Sequence, residues 1–183
     1  EIRDLVYSRK QSHKYLVLQL SSKANRIYLG NSESFIRIVS NTPESADAFI
    51  NDVPERVANF SDNRERKEIL MDKFLHYTDK GLDIILNSYK LPLFVMGTDR
   101  ILGHFKKITK HGSAVIEYIQ GNYEETTVRE LKEILNSHLA DWKKIMQKDL
   151  LNQLDEAAGK QKLATGMRDV WREAVNKKGR LLL

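Results

Sequence analysis

A chain of 183 residues with 41% hydrophobic content is long enough to bury a real core, and the expectation is one domain followed by part of another. It holds no cysteine, which excludes disulfides and thiolate metal sites, and no run approaches the about 18 consecutive apolar residues of a helical membrane span. Thirty Lys and Arg against 25 Asp and Glu leave a formal charge of +5 and a pI near 9.3, a surplus that permits contact with a polyanion without specifying one.

In chain order, KYLVLQL (14–20), NRIYLG (25–30) and SFIRIVS (34–40) are short and rich in branched and aromatic residues. They are separated by the turn segments SSKA and NSES and predict a three-strand antiparallel meander. A polar stretch follows, NDVPERVANFSDNRERKEIL (51–70), with one proline and a basic run. From Arg64 to about Ser88, Leu70, Phe74, Tyr77, Leu82 and Ile85 recur at helical spacing, with Ser61 or Asp62 as N-cap. PLFVMG (92–97) reads as a buried strand, Thr98 caps a helix to about Lys107, and AVIEYI (114–119) is a further strand. Thr127 with Glu130 matches a capping box. From Val128 an apolar stripe through Leu131, Leu135, Leu139, Trp142, Met146, Leu150 and Leu154 predicts one long helix to Gly159, long enough to join two domains. Thr165 can then cap a helix with Val170, Trp171 and Ala174, and Gly179 precedes a last strand. The fold class expected is α/β, a mixed sheet with helical cover, divided into residues 1–142 and the opening of a second α/β unit over 143–183. The chain opens on Glu1 rather than Met and closes on an apolar run, so it reads as a fragment; with no leader pattern, the cytoplasm is the expected location.

The clusters that carry chemistry are few. His13, His76, His104, His111 and His138 show no paired metal spacing, so core or surface placement is expected and no metal or cofactor. The step from strand to helix at VMGTDR (95–100) can present amides to an anion but reads as an ordinary cap. GKQKLATG (159–166) lacks the order of a phosphate loop and follows a helix. Neighbouring carboxylates such as Glu124 and Glu125 fall on different faces and make no acid–base pair. Trp142 and Trp171 lie on apolar stripes and are expected in core or domain-junction packing.

The order KYLVLQLSSKANRIYLGN, then Asp52-Val53-Pro54 ahead of a polar loop, then a basic-started helix, then LPLFVMGTDRILGHF resembles the middle domain of archaeal and eukaryotic class-one peptide-chain release factors. LLNQLDEAAGKQKLATGMRDVWREA resembles the opening of that family's third domain, of the ribosomal-protein type, through Gly159, Lys160, Gly166 and Asp169. Among such proteins the chain is similar to the bacterial archaeo-eukaryotic release factors.

The resemblance implies a loop after the Asp-aliphatic-Pro step that carries Gly-Gly-Gln and positions water for peptidyl-tRNA hydrolysis. Here Phe60, Ser61 and Asp62 stand in that region, so no such hydrolysis is expected. Pelota-type rescue factors share that departure, act on stalled ribosomes and work with a partner GTPase or ATPase. The expectation is then a non-catalytic factor bound to the ribosome or to structured RNA, with a role in rescue or translational stress. Arg56, Arg64, Arg66 and Lys67 would contact the nucleic-acid backbone, and Lys106, Lys107 and Lys110 would form a second patch. The plainer reading of each is a solvated helix face, and for RERK (64–67) that reading is favoured. Two other readings stay open: a hydrolase or nuclease using Asp52, Asp62 and Asp99, and a protein-interaction module that has lost its ribosomal contact.

Overall fold

Alternation of side chains along the strands decides the architecture. In the computed structural model, residues 13–31, 34–39, 63–176 and 178–179 are described, with the backbone alone for 63–67. The elements are β1 (Tyr15–Gln19), β2 (Arg26–Gly30), β3 (Phe35–Ile38), α1 (Asn63–Tyr89), β4 (Leu93–Gly97), α2 (Asp99–Ile108) and β5 (Val115–Gln120). Three helices follow: α3 (Val128–Leu139), α4 (Trp142–Gly159) and α5 (Met167–Val175). The fold is α/β with a five-stranded sheet in the order β3-β2-β1-β4-β5. The first three strands are the antiparallel meander that the sequence predicts, and β4 runs parallel to both β1 and β5.

Odd and even positions feed two cores. Leu16, Leu18 and Leu20 of the β1 segment, with Leu93 and Val95 of β4, meet Leu75, Leu82 and Ile85 of α1 and Ile101, Leu102 and Phe105 of α2. Tyr15, Val17, Phe94 and Met96 face the other way and meet Leu131 and Leu135 of α3 and Ile145 of α4. Both faces of the central strands are therefore covered, which is why runs such as YLVLQL (15–20) are almost continuously apolar. β5 carries a bulge: Leu93 pairs with Val115 but Phe94 pairs with Glu117, leaving Ile116 as the extra residue. Ile116 and Ile119 consequently both reach the second core, and the Ile116 carbonyl accepts from Lys148 Nζ on α4.

Gly30 lies opposite Tyr15 in the β1–β2 ladder. A Cβ there would come within 2.4 Å of the Tyr15 ring, so the absence of a side chain is what lets that ring lie across the strand. At Gly97 the constraint is backbone: a Cβ would stand 3.0 Å from the Leu20 carbonyl, where the ends of β1 and β4 converge.

Three expectations need correction. α5 starts from Gly166, with no side-chain cap, and not from Thr165. The stripe from Val128 to Leu154 is divided between α3 and α4, because Ala140 and Asp141 leave the helix and the Asp141 carboxylate caps the Lys144 N–H at 3.1 Å. Trp142 packs as expected against the second core, with its ring 4.7 Å from that of His13. Trp171 does not: it is 70% exposed, on a face of α5 shared with Met167 and Val175, against which none of the described elements packs. The caps expected at Ser61 or Asp62 and the strand after Gly179 lie outside the described residues.

The capping box at the start of α3 forms as predicted. Thr127 N–H donates to Glu130 Oε2 at 2.8 Å and Glu130 N–H donates to the Thr127 hydroxyl at 3.3 Å. These bonds hold the Glu130 carboxyl below its ordinary value, the backbone bond from Thr127 being the largest cause. A depressed carboxylate stabilises the folded state above its unfolded pKa, and that contribution fades as pH falls through the folded value. Thr127→Ala should lower the melting temperature by about 2–4 °C at neutral pH. Glu130→Ala removes the carboxylate itself, so its gap from the parent should narrow on acidification; a gap that stays constant would refute the ionic part of the cap.

Candidate functional site

α1 and α2 run side by side in the same direction and are joined along a line of polar contacts. Near their starts Arg100 Nη2 donates to Glu68 Oε1 at 3.0 Å, and one turn on His104 Nδ1 lies 2.9 Å from Asp72 Oδ1. Beyond the end of α2, Asp79 is 5% exposed and accepts at both oxygens, from the Thr109 hydroxyl at 2.6 Å and from the Lys110 N–H at 3.3 Å. His111 Nε2 stands 3.9 Å from Asp79 and 3.7 Å from Asp83. Helical spacing explains the seam: at about 100° per residue, Glu65, Glu68, Asp72, Asp79 and Asp83, which are all the acidic positions of α1, fall within an arc of about 60°.

The basic residues singled out in the sequence are distributed as follows. Arg64, Arg66 and Lys67 occupy the first two turns of α1, while Arg56, Phe60, Ser61 and Asp62 lie outside the described residues. Lys106 and Lys107 form the last turn of α2, where cations complement the exposed carbonyls, and Lys110 follows with its side chain in solvent. Lys106 Nζ rests 4.5 Å from the centre of the Tyr118 ring. Burial, with the Asp79 charge as a second cause, pushes the Tyr118 phenol above its usual value, so the ring stays neutral beneath that ammonium.

The structure does not bring the two basic patches together. Lys110 contacts Asp79, which is twelve residues past Lys67 on α1 and so about 18 Å further along the helix. Asp99 sits in the first turn of α2, where a carboxylate complements the helix dipole, and Asp52 and Asp62 lie outside the described residues. At VMGTDR, Thr98 is the N-cap residue but its side chain makes no capping bond.

Sequence reading missed a third set, Lys73, Tyr77 and Lys80 on the outward side of α1. Lys73 and Lys80 are exposed, and Lys80 Nζ lies 5.3 Å from the Tyr77 ring centre. The signal was available: Arg66, Lys73 and Lys80 recur every seven residues.

Comparisons with known proteins can now be set beside this geometry. The family model for bacterial archaeo-eukaryotic release factor family 3 matches residues 14–178, nearly the whole chain. No curated protein matches. Among solved structures, a chain described as an archaeal protein is similar at 13% identity and a TM-score of 0.37, over 94% of this chain and 48% of its own. The present chain thus spans about half the length of that protein. Among the described residues, no helix is long and apolar enough to cross a membrane.

Proposed function

The chain belongs to bacterial archaeo-eukaryotic release factor family 3, and on that premise we propose that it is a non-catalytic, ribosome- or structured-RNA-associated translation factor acting in the cytoplasm. The observation that carries the reading is the family match together with the segment that leads into α1. Residues 51–62, NDVPERVANFSD, contain neither glycine nor glutamine. Two consecutive glycines reach backbone shapes that Phe60 and Ser61 adopt only with strain, and a glutamine amide both donates and accepts where the Asp62 carboxylate only accepts. Asp62 would also repel a phosphate-rich surrounding. We therefore propose that the protein binds without hydrolysing peptidyl-tRNA, in the manner of a rescue factor with a partner GTPase or ATPase.

The domain reading belongs with this proposal. Residues 1–142 form a unit like the release-factor middle domain, and residues 143–183 open a second α/β unit. α4 serves both, since Ile145 and Lys148 pack on the first while α5 follows beyond it. The apolar face of Met167, Trp171 and Val175 is the side of α5 that further elements of such a unit would cover.

Co-sedimentation with ribosomes through a sucrose cushion, at low and physiological salt, tests the reading. The parent should pellet with ribosomes, and the variant with Arg64, Arg66 and Lys67 changed to alanine should remain in the supernatant at physiological salt. Absence of pelleting by the parent even at low salt would overturn the proposal. Pelleting that is indifferent to salt would point instead to an apolar protein partner, because phosphate contacts weaken steeply as salt rises.

A further inference from the structure

We propose that the outward face of α1 is a track for the phosphate backbone of structured RNA, carried by Lys73 and Lys80 with Tyr77 between them. This rests on the RNA-associated reading above and adds to it a surface distinct from both basic patches named in the sequence.

Solvated helices usually mix signs, with Glu and Lys paired three or four residues apart. On α1 the acids are gathered toward α2 instead: Glu68 meets Arg100, Asp72 meets His104, Asp79 is closed by Thr109 and Lys110, and Asp83 faces His111. Lys73 and Lys80 stand on the exposed side of α1, with the half-exposed Asp72 and Asp83 at its border with the seam. Neither Lys73 nor Lys80 makes an ion pair among the described residues, although Asp83 is only three positions from Lys80. Lys80 turns to the Tyr77 ring rather than to that carboxylate.

Lys73 and Lys80 are seven residues apart, about 10 Å along the axis, with a drift of only about 20° around it. Two ammonium groups so placed on a rigid rod can each meet a phosphate of one backbone.

Tyr77 is 46% exposed and Ile84 69% exposed on the same side. An exposed ring flanked by lysines can stack on a base that has left its helix, as loops and bulges of structured RNA present them. Lysine is depleted in protein–protein interfaces, whereas here two lysines flank the exposed ring. The net charge of +5 acts in the same direction.

The test uses the full chain and a fluorescein-labelled RNA hairpin, followed by anisotropy across a salt series. Lys73→Gln with Lys80→Gln should weaken binding about tenfold and reduce the slope of log affinity against log salt by about two. Glutamine keeps the helix propensity of lysine, so the melting temperature should not move. Lys143→Gln with Lys144→Gln, an equal charge change on exposed α4 positions, should bind as the parent does. Unchanged affinity and slope in the Lys73/Lys80 variant would overturn the track. So would RNA binding by the parent that does not weaken as salt rises, since lysines on a phosphate backbone impose that dependence. If the Arg64/Arg66/Lys67 variant alone fails to pellet with ribosomes, the track falls while the proposed function stands. If the parent binds neither RNA nor ribosomes, both fall.

Discussion

Replacing Asp79 by alanine is expected to cost about 3 kcal/mol of folding stability, read as a lowered urea midpoint. The carboxylate is buried and each oxygen has a separate donor, the Thr109 hydroxyl on one and the Lys110 N–H on the other. Removing it leaves the Lys110 N–H without its acceptor in a site water reaches poorly, and a donor orphaned in that way costs more than the bond itself contributes. Asp79→Asn should lose less, because the amide oxygen can still accept one of the two donors. Asp83→Ala makes a sharp contrast. Its side chain is 55% exposed and its facing group, His111, stands 3.7 Å away, so the loss should stay below about 1 kcal/mol. Equal losses at the two positions would show that Asp79 is not what closes the seam between α1 and the end of α2.

The second large effect is expected at Gly30. A methyl group there meets the Tyr15 ring at 2.4 Å, and that ring has nowhere to go. It is packed edge-on against Phe94 at 6.0 Å between centres, and it also borders Phe35 and Trp142. Gly30→Ala should therefore destabilise by about 2 kcal/mol through overpacking, with the cost rising for Val. Tyr15→Ala alone leaves a cavity and should cost about 3 kcal/mol. The informative measurement is the double variant, in which the alanine at 30 partly fills the space the ring has vacated. Its loss should be smaller than the sum of the single losses by about 1–2 kcal/mol. Strict additivity would mean that the ring and the glycine do not share the space assigned to them.

Legibility in the sequence followed the physics of each element. The strands were readable because both faces of KYLVLQL and PLFVMG are covered, which leaves short, nearly continuous apolar runs rich in branched and aromatic residues and bounded by turn segments. α1 was readable from Phe74, Leu82 and Ile85, which are buried at a spacing of about one turn and its multiples, while Tyr77 of the same stripe is 46% exposed. The break at Ala140 and Asp141 was hidden, since Leu139, Trp142 and Met146 keep a helical interval straight across it. What stops α3 there is a capping carboxylate, and an aspartate inside an apolar stripe resembles any other surface residue. The buried contact between Asp79 and the turn after α2 was invisible for a different reason: its partners are thirty residues away, and only the parallel packing of two helices brings them together. Lys73 and Lys80 were legible but diluted, because attention to runs such as RERK passes over charges that are adjacent only on a helical surface.

The bulge at Ile116 bears on how the molecule behaves when crowded. β5 lies at one margin of the sheet, and a flat margin would offer a foreign strand an uninterrupted row of donors and acceptors, the template for aggregation. At Ile116 that row is out of step by one residue, and the carbonyl that would seed an added strand is already held by Lys148. The ammonium that seats α4 on the sheet thus also brings a charge to the place where strand addition would begin. A single lysine serves both folding and solubility, so its loss would be felt first in concentrated solution.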